Sequence, residues 1–275
     1  MTTTTAPQKT GASLQFIAET FQIHRTYWFG PQEVKSTFGV QIASPQVPTL
    51  FSESVLRRAW EMNCCVVLQQ DRLADGKPLT LQNLHASRGN QDALGGKFLC
   101  NTDWYGNEPL FTTQVPRSGL FIKGRSVIPE STGKTFVGES LVAADFAEEL
   151  FGDKLPEPYG KAIEELRSET DRLEKLCRKD WQEGARQCVA LSFSRFFRES
   201  PGEVLYRVLL AQKINRERLF ENLYTRTTHV LSPVGVVGVG FADAGGAHLC
   251  DWKPDYARDR LGFSFSCSGE LEAVA

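Results

Sequence analysis

The sequence predicts an α+β fold with a mixed N-terminal region, a long charged antiparallel helical hairpin and a C-terminal antiparallel β element. Two observations support this fold class. From about residue 139 to residue 226 the chain has helical periodicity and dense charge, whereas the residues after 230 change to the two-residue period of strands. Helices and strands therefore occupy separate stretches of the chain, which favours α+β over an alternating α/β arrangement.

The overall composition is that of a globular protein. The chain has 275 residues, 41% of them hydrophobic, and a net charge of −2. A chain of this length can bury a core without disulfides or metals, and its balanced charge gives no long-range attraction to nucleic acid or to an anionic membrane. We see neither a signal peptide nor an apolar run near the ~18 residues of a membrane span. We therefore expect a soluble cytoplasmic protein without membrane contact.

The N-terminal part divides into two segments. We expect residues 1–12 to be disordered and residues 13–138 to form the mixed α/β region. Within that region Ser52 has the hydroxyl of a helix N-cap, and the helix after it would bury an apolar face that includes Val55 and Trp60. CCVVLQQDRL and GLFIKGRSVI are short and rich in β-branched or apolar residues, which predicts two buried strands.

Residues 139–229 are predicted to form the helical hairpin region. The first long helix has a narrow apolar seam with 3-4 spacing, formed by Ile163, Leu166, Thr170, Leu173 and Cys177. The second begins at Ser200, with Pro201 at its first position and Glu203 completing a capping box. Because the seam is only about two heptads long, we favour packing within one chain over a dimeric coiled coil.

Residues 230–275 predict a β hairpin followed by one more strand, in one compact unit with residues 13–138. VGVVGVGFA and AHLCDW are the two arms of the hairpin, separated by a glycine-containing turn. LGFSFSCSG is the last strand, in which the phenylalanines would face one side and the serines the other. The glycines of GVVGVG lack the spacing of a dinucleotide-binding loop, and they indicate instead a close approach by a neighbouring element.

The seven cysteines do not suggest a disulfide framework. Their number is odd, and the sequence contains no CxxC pair. Cys177 and Cys188 would lie about 16 Å apart along a continuous helix, which is too far for a disulfide. We therefore expect reduced thiols, several of them buried.

A Gly-Lys-Thr sequence at residues 133–135 resembles the end of a phosphate-binding P-loop. However, Ile128 stands where that loop needs its first glycine. Pro129 has no N–H to donate, and Glu130 would place a carboxylate in a phosphate site. The sequence therefore indicates a turn rather than a nucleotide site, and we predict no bound cofactor.

The loop from Asp103 to Glu108 has the composition of a small-molecule site. It contains two carboxylates, two aromatic residues and an amide, and basic residues follow on the next strand. The candidate residues for binding a small anionic ligand are Asp103, Trp104, Glu108, Lys123 and Arg125. The alternative is a loop held in place by its own aromatic residues.

A metal site is a separate possibility near the C-terminus. His248, Cys250 and Asp251 offer three ligand types within four residues. On a strand His248 and Cys250 would share a face, about 7 Å apart at Cα. No second paired motif accompanies them, and the alternative is a β structure with a half-buried cysteine.

No catalytic signature is present, so whether the chain is an enzyme stays open. We predict a non-catalytic binding or assembly protein that uses residues 156–226 to bind a protein partner or a second copy. The alternative is an enzyme or binder of a small anionic ligand at the loop just described. A further alternative is weak binding of single-stranded nucleic acid by the basic, aromatic stretch from Gly184 to Val230. We do not expect nucleic acid, because the aromatic residues there lie mostly on apolar faces.

Overall fold

The computed structural model describes residues 17, 28–41, 51–231 and 235–269. Within these residues the chain is α+β, as the sequence predicts, and its buried apolar side chains form a continuous core. The predicted disorder of residues 1–12 lies outside the described residues. None of the described helices is long and apolar enough to cross a membrane.

The helices and strands alternate unevenly along the chain. The α-helices are α1 Pro31–Phe38, α2 Glu53–Glu61, α3 Leu81–Arg88, α4 Pro109–Thr112, α5 Phe136–Phe151, α6 Glu157–Lys179, α7 Trp181–Ala190, α8 Ser192–Phe197 and α9 Pro201–Asn215. The strands are β1 Trp28–Phe29, β2 Cys64–Gln69, β3 Gly119–Gly124, β4 Tyr224–Leu231, β5 Gly235–Asp243, β6 Gly246–Trp252, β7 Leu261–Gly262 and β8 Ser266–Ser268.

The strands form two four-stranded sheets. Sheet one has the order β1-β2-β3-β8, and sheet two has the order β6-β5-β4-β7. The pairs β1–β2 and β4–β7 are parallel, and the other neighbours are antiparallel. The predicted strands β2 and β3 and the predicted β5–β6 hairpin are confirmed.

The predicted last strand is wrong as a single element. It is divided into β7 in sheet two and β8 in sheet one, so this segment joins the two sheets. Its serines do not face solvent, because Ser264 and Ser266 are buried as completely as the phenylalanines. Ser264 donates its backbone N–H to the Thr225 hydroxyl at 2.9 Å, and its own hydroxyl accepts from Arg207. Side-chain hydrogen bonds therefore satisfy Ser264 inside the core, whereas the buried Ser266 hydroxyl has no hydrogen-bond partner among the described residues.

Local capping chemistry predicted two helix starts correctly. The Ser52 hydroxyl accepts from the N–H of Val55 at the start of α2. Ser200 and Glu203 form the full capping box at the start of α9. The helix α2 buries Val55 as predicted, but Trp60 is 40% exposed because it lies at the edge of the apolar face.

The predicted pairing of the two long helices is not what the structure shows. The helix α6 packs mainly against α7 and α8, whereas α9 packs against α1 and against β5. The apolar seam of α6 is thus covered by its own chain. The helix α9 ends at Asn215, and β4 follows within the stretch predicted to be helical. The residues of α9 from Pro201 to Gln212 are all buried, so α9 is a central core helix rather than one arm of a surface hairpin.

The expected separation of Cys177 and Cys188 is also wrong. The helix is not continuous, because Asp180 leaves helical geometry after α6 and caps α7 with its carboxylate. The chain reverses there and brings the two sulfur atoms to 3.7 Å. A Cβ atom at Gly184 would lie 2.7 Å from the Cα of Cys177, so the missing side chain allows this close contact of α6 and α7.

Replacing Gly184 with alanine is expected to lower the free energy of unfolding by about 1–3 kcal/mol, because the added methyl group meets backbone rather than a flexible side chain. Gly160→Ala is a matched control on α6, where a Cβ meets only Leu155 at 3.8 Å. That variant should be neutral or stabilised by up to about 1 kcal/mol. Urea unfolding of both variants tests the contact, and equal stabilities would contradict it.

The Gly-Lys-Thr sequence has a structural role, in agreement with its interpretation as a turn. Gly133 has a φ of +69° and donates its N–H to the carbonyl of Arg258 at 2.9 Å. The Thr135 hydroxyl caps α5 by accepting from the N–H of Gly138. The Lys134 carbonyl accepts from Arg226. This turn therefore starts α5 and supports the loop that contains Arg258.

Candidate functional site

The predicted ligand loop lies at the surface before α4. Asp103 is exposed, and Trp104 is 40% exposed with its ring edge against Tyr105. Glu108 precedes the first residue of α4, and its charge acts on His229 of β4. Burial lowers the pKa of His229, while the Glu108 carboxylate partly opposes that change.

The two basic residues predicted to bind the same ligand are engaged inside the protein. Lys123 is fully buried on β3, and its Nζ lies 2.8 Å from Glu199. Burial lowers the pKa of Lys123, and the Glu199 carboxylate opposes that effect. Arg125 pairs with Glu217. None of the five predicted ligand residues lines either of the two cavities described below.

A buried ionic cluster occupies the region between β3, α5 and α9. We define this ionic cluster as Arg117, Lys123, Glu139, Arg198, Glu199, Glu203, Arg207 and Arg226. All except Arg117 are at most 2% exposed at their side chains. Buried charges of this kind must be paired and hydrogen-bonded, so the cluster strongly constrains how the surrounding elements pack.

The described residues contain no group of three His, Cys, Asp or Glu side chains placed to hold a metal ion. The predicted ligands all lie on β6. Cys250 contacts the Tyr224 hydroxyl at 3.6 Å. Burial raises the pKa of the Asp251 carboxyl. The strand alternation that puts His248 and Cys250 on one face puts Asp251 on the other, so the three do not converge as ligands.

The larger of the two cavities lies at one end of sheet two. It encloses about 460 Å³, within the size range of small-molecule sites. We call it the aromatic pocket and define it by its lining residues, Tyr224, Phe241, Trp252, Arg258, Asp259, Arg260 and Leu261. Three neighbouring strands each provide one of its aromatic rings.

The rings of the aromatic pocket contact one another in two orientations. Tyr224 and Trp252 meet edge to face, with centroids 4.8 Å apart and planes at 69°. Tyr224 and Phe241 are also 4.8 Å apart, with planes at 31°. All three rings are half-buried, so part of their apolar surface faces the cavity. Such rings offer stacking surface to a planar ligand.

Two glycines of β5 make room for this arrangement. A Cβ at Gly238 would lie 2.5 Å from the Trp252 indole, which therefore lies directly over this glycine. A Cβ at Gly240 would lie 1.9 Å from the carbonyl oxygen of Leu223. The close approach expected from the glycine pattern is thus confirmed, and it positions the rings.

The position of Phe241 depends on an irregularity in β5. Its φ is +44°, in the left-handed region that is uncommon for a bulky side chain, and the β5–β6 register shifts between Gly240 and Asp243. Backbone strain of this kind concentrates at functional sites. Here it places an aromatic ring beside Tyr224.

The rim of the aromatic pocket carries more positive than negative charge. Arg258 and Arg260 are exposed, and Asp259 lies between them. The Arg260 guanidinium lies 5.8 Å from the centroid of the Phe241 ring. The backbone carbonyl of Arg260 accepts from the N–H of Tyr224 at 2.7 Å. The loop is thus tied to β4 by its backbone, and both arginines line the cavity, with Arg258 Nε also donating to the Tyr256 hydroxyl at 2.9 Å.

The Tyr224 hydroxyl stays protonated under ordinary conditions. Burial raises its pKa, and the contact with Cys250 raises it further. The aromatic pocket therefore offers ring faces, a neutral phenol and two guanidinium groups, which suits binding. Sequence reasoning missed it because Tyr224 was assigned to the helical region, and only the glycine spacing of β5 pointed toward this part of the chain.

Comparisons with known proteins add no further information, since no family model, curated protein or solved structure matches this chain. The expectation that residues 156–226 bind a partner or a second copy stays a prediction, although the apolar seam of α6 is covered within the chain.

Proposed function

We propose that this protein binds a small planar aromatic molecule with a negative charge, such as a nucleoside monophosphate, in the aromatic pocket. The observation that carries this proposal is the meeting of three half-buried aromatic rings and two exposed arginines around one cavity of about 460 Å³. The rings account for the planar part of the ligand, and the arginines account for its charge.

Stacking supplies most of the affinity in this proposal. Each ring that stacks on a nucleobase contributes about 1–3 kcal/mol, and it does so without selecting strongly among bases. The Trp252 indole packs directly against Gly238, and it contacts the Tyr224 ring edge to face. A supported ring loses little conformational entropy when a ligand stacks on it.

The charge at the rim of the aromatic pocket decides whether an anionic or a cationic ligand is favoured. Aromatic cages also bind quaternary ammonium groups, because ring faces attract cations. Here Arg258 and Arg260 outnumber the single lining carboxylate, Asp259. Two guanidinium groups repel a cationic ligand and form charge-assisted hydrogen bonds with phosphate or carboxylate oxygens. An anion is therefore favoured over a cation.

The charge around the aromatic pocket also favours a small ligand over a nucleic-acid strand. The loop from Lys253 to Arg260 has three basic residues and two acidic ones, so its net charge is 3 − 2 = +1. Binding to a phosphate backbone needs a much denser basic surface, because its affinity comes from the displacement of many counterions. A small ligand with a single charged group therefore suits this loop better than a nucleic-acid strand does.

Isothermal titration calorimetry with nucleoside monophosphates and the matching uncharged nucleosides tests the proposal. Trp252→Ala is expected to weaken binding of both ligand types roughly 5- to 150-fold, the equivalent of one stacking ring. The double variant Arg258→Ala/Arg260→Ala should weaken the monophosphate about tenfold and leave the nucleoside nearly unchanged.

The exposed Arg57 on α2 provides the matched control, and Arg57→Ala should bind every ligand like the wild type. Far-UV circular dichroism verifies that the Trp252 variant is folded. The proposal fails if no monophosphate binds at millimolar concentration, or if binding is the same in Trp252→Ala as in Arg57→Ala.

A further inference from the structure

The second cavity lies beside the ionic cluster and has a different chemical character from the aromatic pocket. It encloses about 240 Å³. We call it the arginine cavity, and its polar lining consists of Gln114, Arg117, Arg195, Arg198, Ser200, Glu203 and Thr228. Three of these side chains are cationic and one is anionic.

The ionic cluster, which shares Arg117, Arg198 and Glu203 with the cavity, does not neutralise this positive charge. It contains five cations but only three carboxylates, Glu139, Glu199 and Glu203. Glu139 is shared by Arg198 and Arg226, at 2.6 Å from each. The carboxylates are therefore fully engaged, and an excess of positive charge is left among side chains that are almost all buried.

The three arginines of the cavity differ in how far they are engaged. The Arg117 guanidinium binds Glu203 and the carbonyl of Arg195. Arg198 is buried, and its Nε has no hydrogen-bond partner among the described residues. Arg195 is exposed at α8, and its guanidinium likewise has no hydrogen-bond or ion-pair partner within the described part of the chain. It is the group best placed to meet an incoming ligand.

We propose that the arginine cavity binds a small oxyanion, either free phosphate or the phosphoryl group of a small ester. A tetrahedral oxyanion offers several acceptor oxygens to guanidinium donors, and charge-assisted hydrogen bonds of this type are about twice as strong as neutral ones. Its negative charge offsets the excess positive charge of the ionic cluster. Burial lowers the pKa of Arg198, and the Glu139 carboxylate at 2.6 Å opposes that effect.

Calorimetric titration and thermal unfolding in phosphate, glycerol phosphate and sulfate test this proposal, with sodium chloride of equal ionic strength as the reference. Phosphate at millimolar concentration is expected to raise the Tm above that in the chloride reference, because a ligand that binds only the folded state stabilises it. Tighter binding of glycerol phosphate than of phosphate would identify an ester as the natural source of the group, and the reverse would identify the free ion.

Arg195→Ala should weaken phosphate binding about tenfold or more, since one charge-assisted contact is lost. Glu203→Gln should act in the opposite direction and tighten binding, because it removes the only carboxylate among the described residues that line the cavity. Arg57→Ala controls for a general loss of positive charge and should bind like the wild type. The double variant Arg258→Ala/Arg260→Ala should also keep phosphate binding, which separates this site from the aromatic pocket, where those two arginines would hold the phosphate.

Two results would overturn the proposal. One is the same Tm in phosphate as in the chloride reference at 10 millimolar anion, a concentration at which a site with a Kd of about 1 millimolar would be mostly occupied and would stabilise the folded protein. The other is phosphate binding that is as strong in Arg195→Ala as in Arg57→Ala. Because Arg195 is exposed and its guanidinium makes no hydrogen bond or ion pair with the described residues, its variant is expected to fold normally.

Discussion

Replacing Glu139 with glutamine is expected to lower the free energy of unfolding by about 3–5 kcal/mol. The Glu139 side chain is 0% exposed and lies 2.6 Å from both Arg198 and Arg226. Glutamine keeps the shape of the side chain but removes its charge. Two buried guanidinium groups are then left without a counterion, and the cost is that of uncompensated buried charge.

Equilibrium unfolding in urea measures this effect, and α5 itself offers a matched control. Glu148 lies on the same helix and also accepts hydrogen bonds from an arginine, Arg167, but both side chains are more than 40% exposed. Glu148→Gln should cost less than about 1 kcal/mol, because solvent screens an exposed ion pair. Similar losses in the two variants would show that burial does not set the strength of the Glu139 interactions.

Acidification is expected to remove about 3 kcal/mol of stability through Glu203 alone. Burial by itself would raise the pKa of Glu203, but the charges of Arg117 and Lys123 and the hydrogen bonds from Arg117 and the Ser200 N–H outweigh it. The pKa falls from its ordinary value of 4.5 to about 2. Between these values the unfolded chain binds a proton that the folded protein does not. The contribution is therefore complete above about pH 4.5 and is lost as the pH falls toward 2.

The dependence of the unfolding free energy on pH, measured from pH 7 to pH 3, tests this expectation. Glu203→Gln should be less stable than the wild type at pH 7, and the difference should shrink as the pH falls. Glu157→Gln is the control, because Glu157 and its partner Lys161 are exposed. Its pH dependence should match that of the wild type. A constant difference between Glu203→Gln and the wild type across this range would exclude the proposed titration.

The charged residues show where sequence reasoning reaches its limit. Arg198, Glu199 and Glu203 lie within a few positions of one another, in a stretch predicted to be charged helix. The capping role of Glu203 was predicted from its spacing to Ser200, because capping is a local hydrogen bond. Its ion pair with Arg117, and the pair of Lys123 with Glu199, join distant parts of the chain. No local pattern distinguishes such charges from solvated ones.

The aromatic pocket also combines a local feature that the sequence predicted with long-range contacts that it did not. The glycine pattern of β5 predicted a close approach, and the structure shows the Trp252 indole over Gly238. The Tyr224 ring meets those of Phe241 and Trp252 only because β4, β5 and β6 pair in this register, with a shift after Gly240. A change of register by one residue turns each side chain to the other face of the sheet, so composition alone does not locate the site.

The sequence by itself determined the α+β class, the helix starts at Ser52 and Ser200, the buried strands β2 and β3 and the β5–β6 hairpin. These features depend on periodicity, on turn residues and on hydrogen bonds between near neighbours. Only the tertiary structure decided that α9 lies in the core, that the last strand is shared between two sheets, and that charged and aromatic residues gather around two cavities. The reason is physical, since these outcomes depend on contacts between distant residues, whose energies have no periodic signature along the chain.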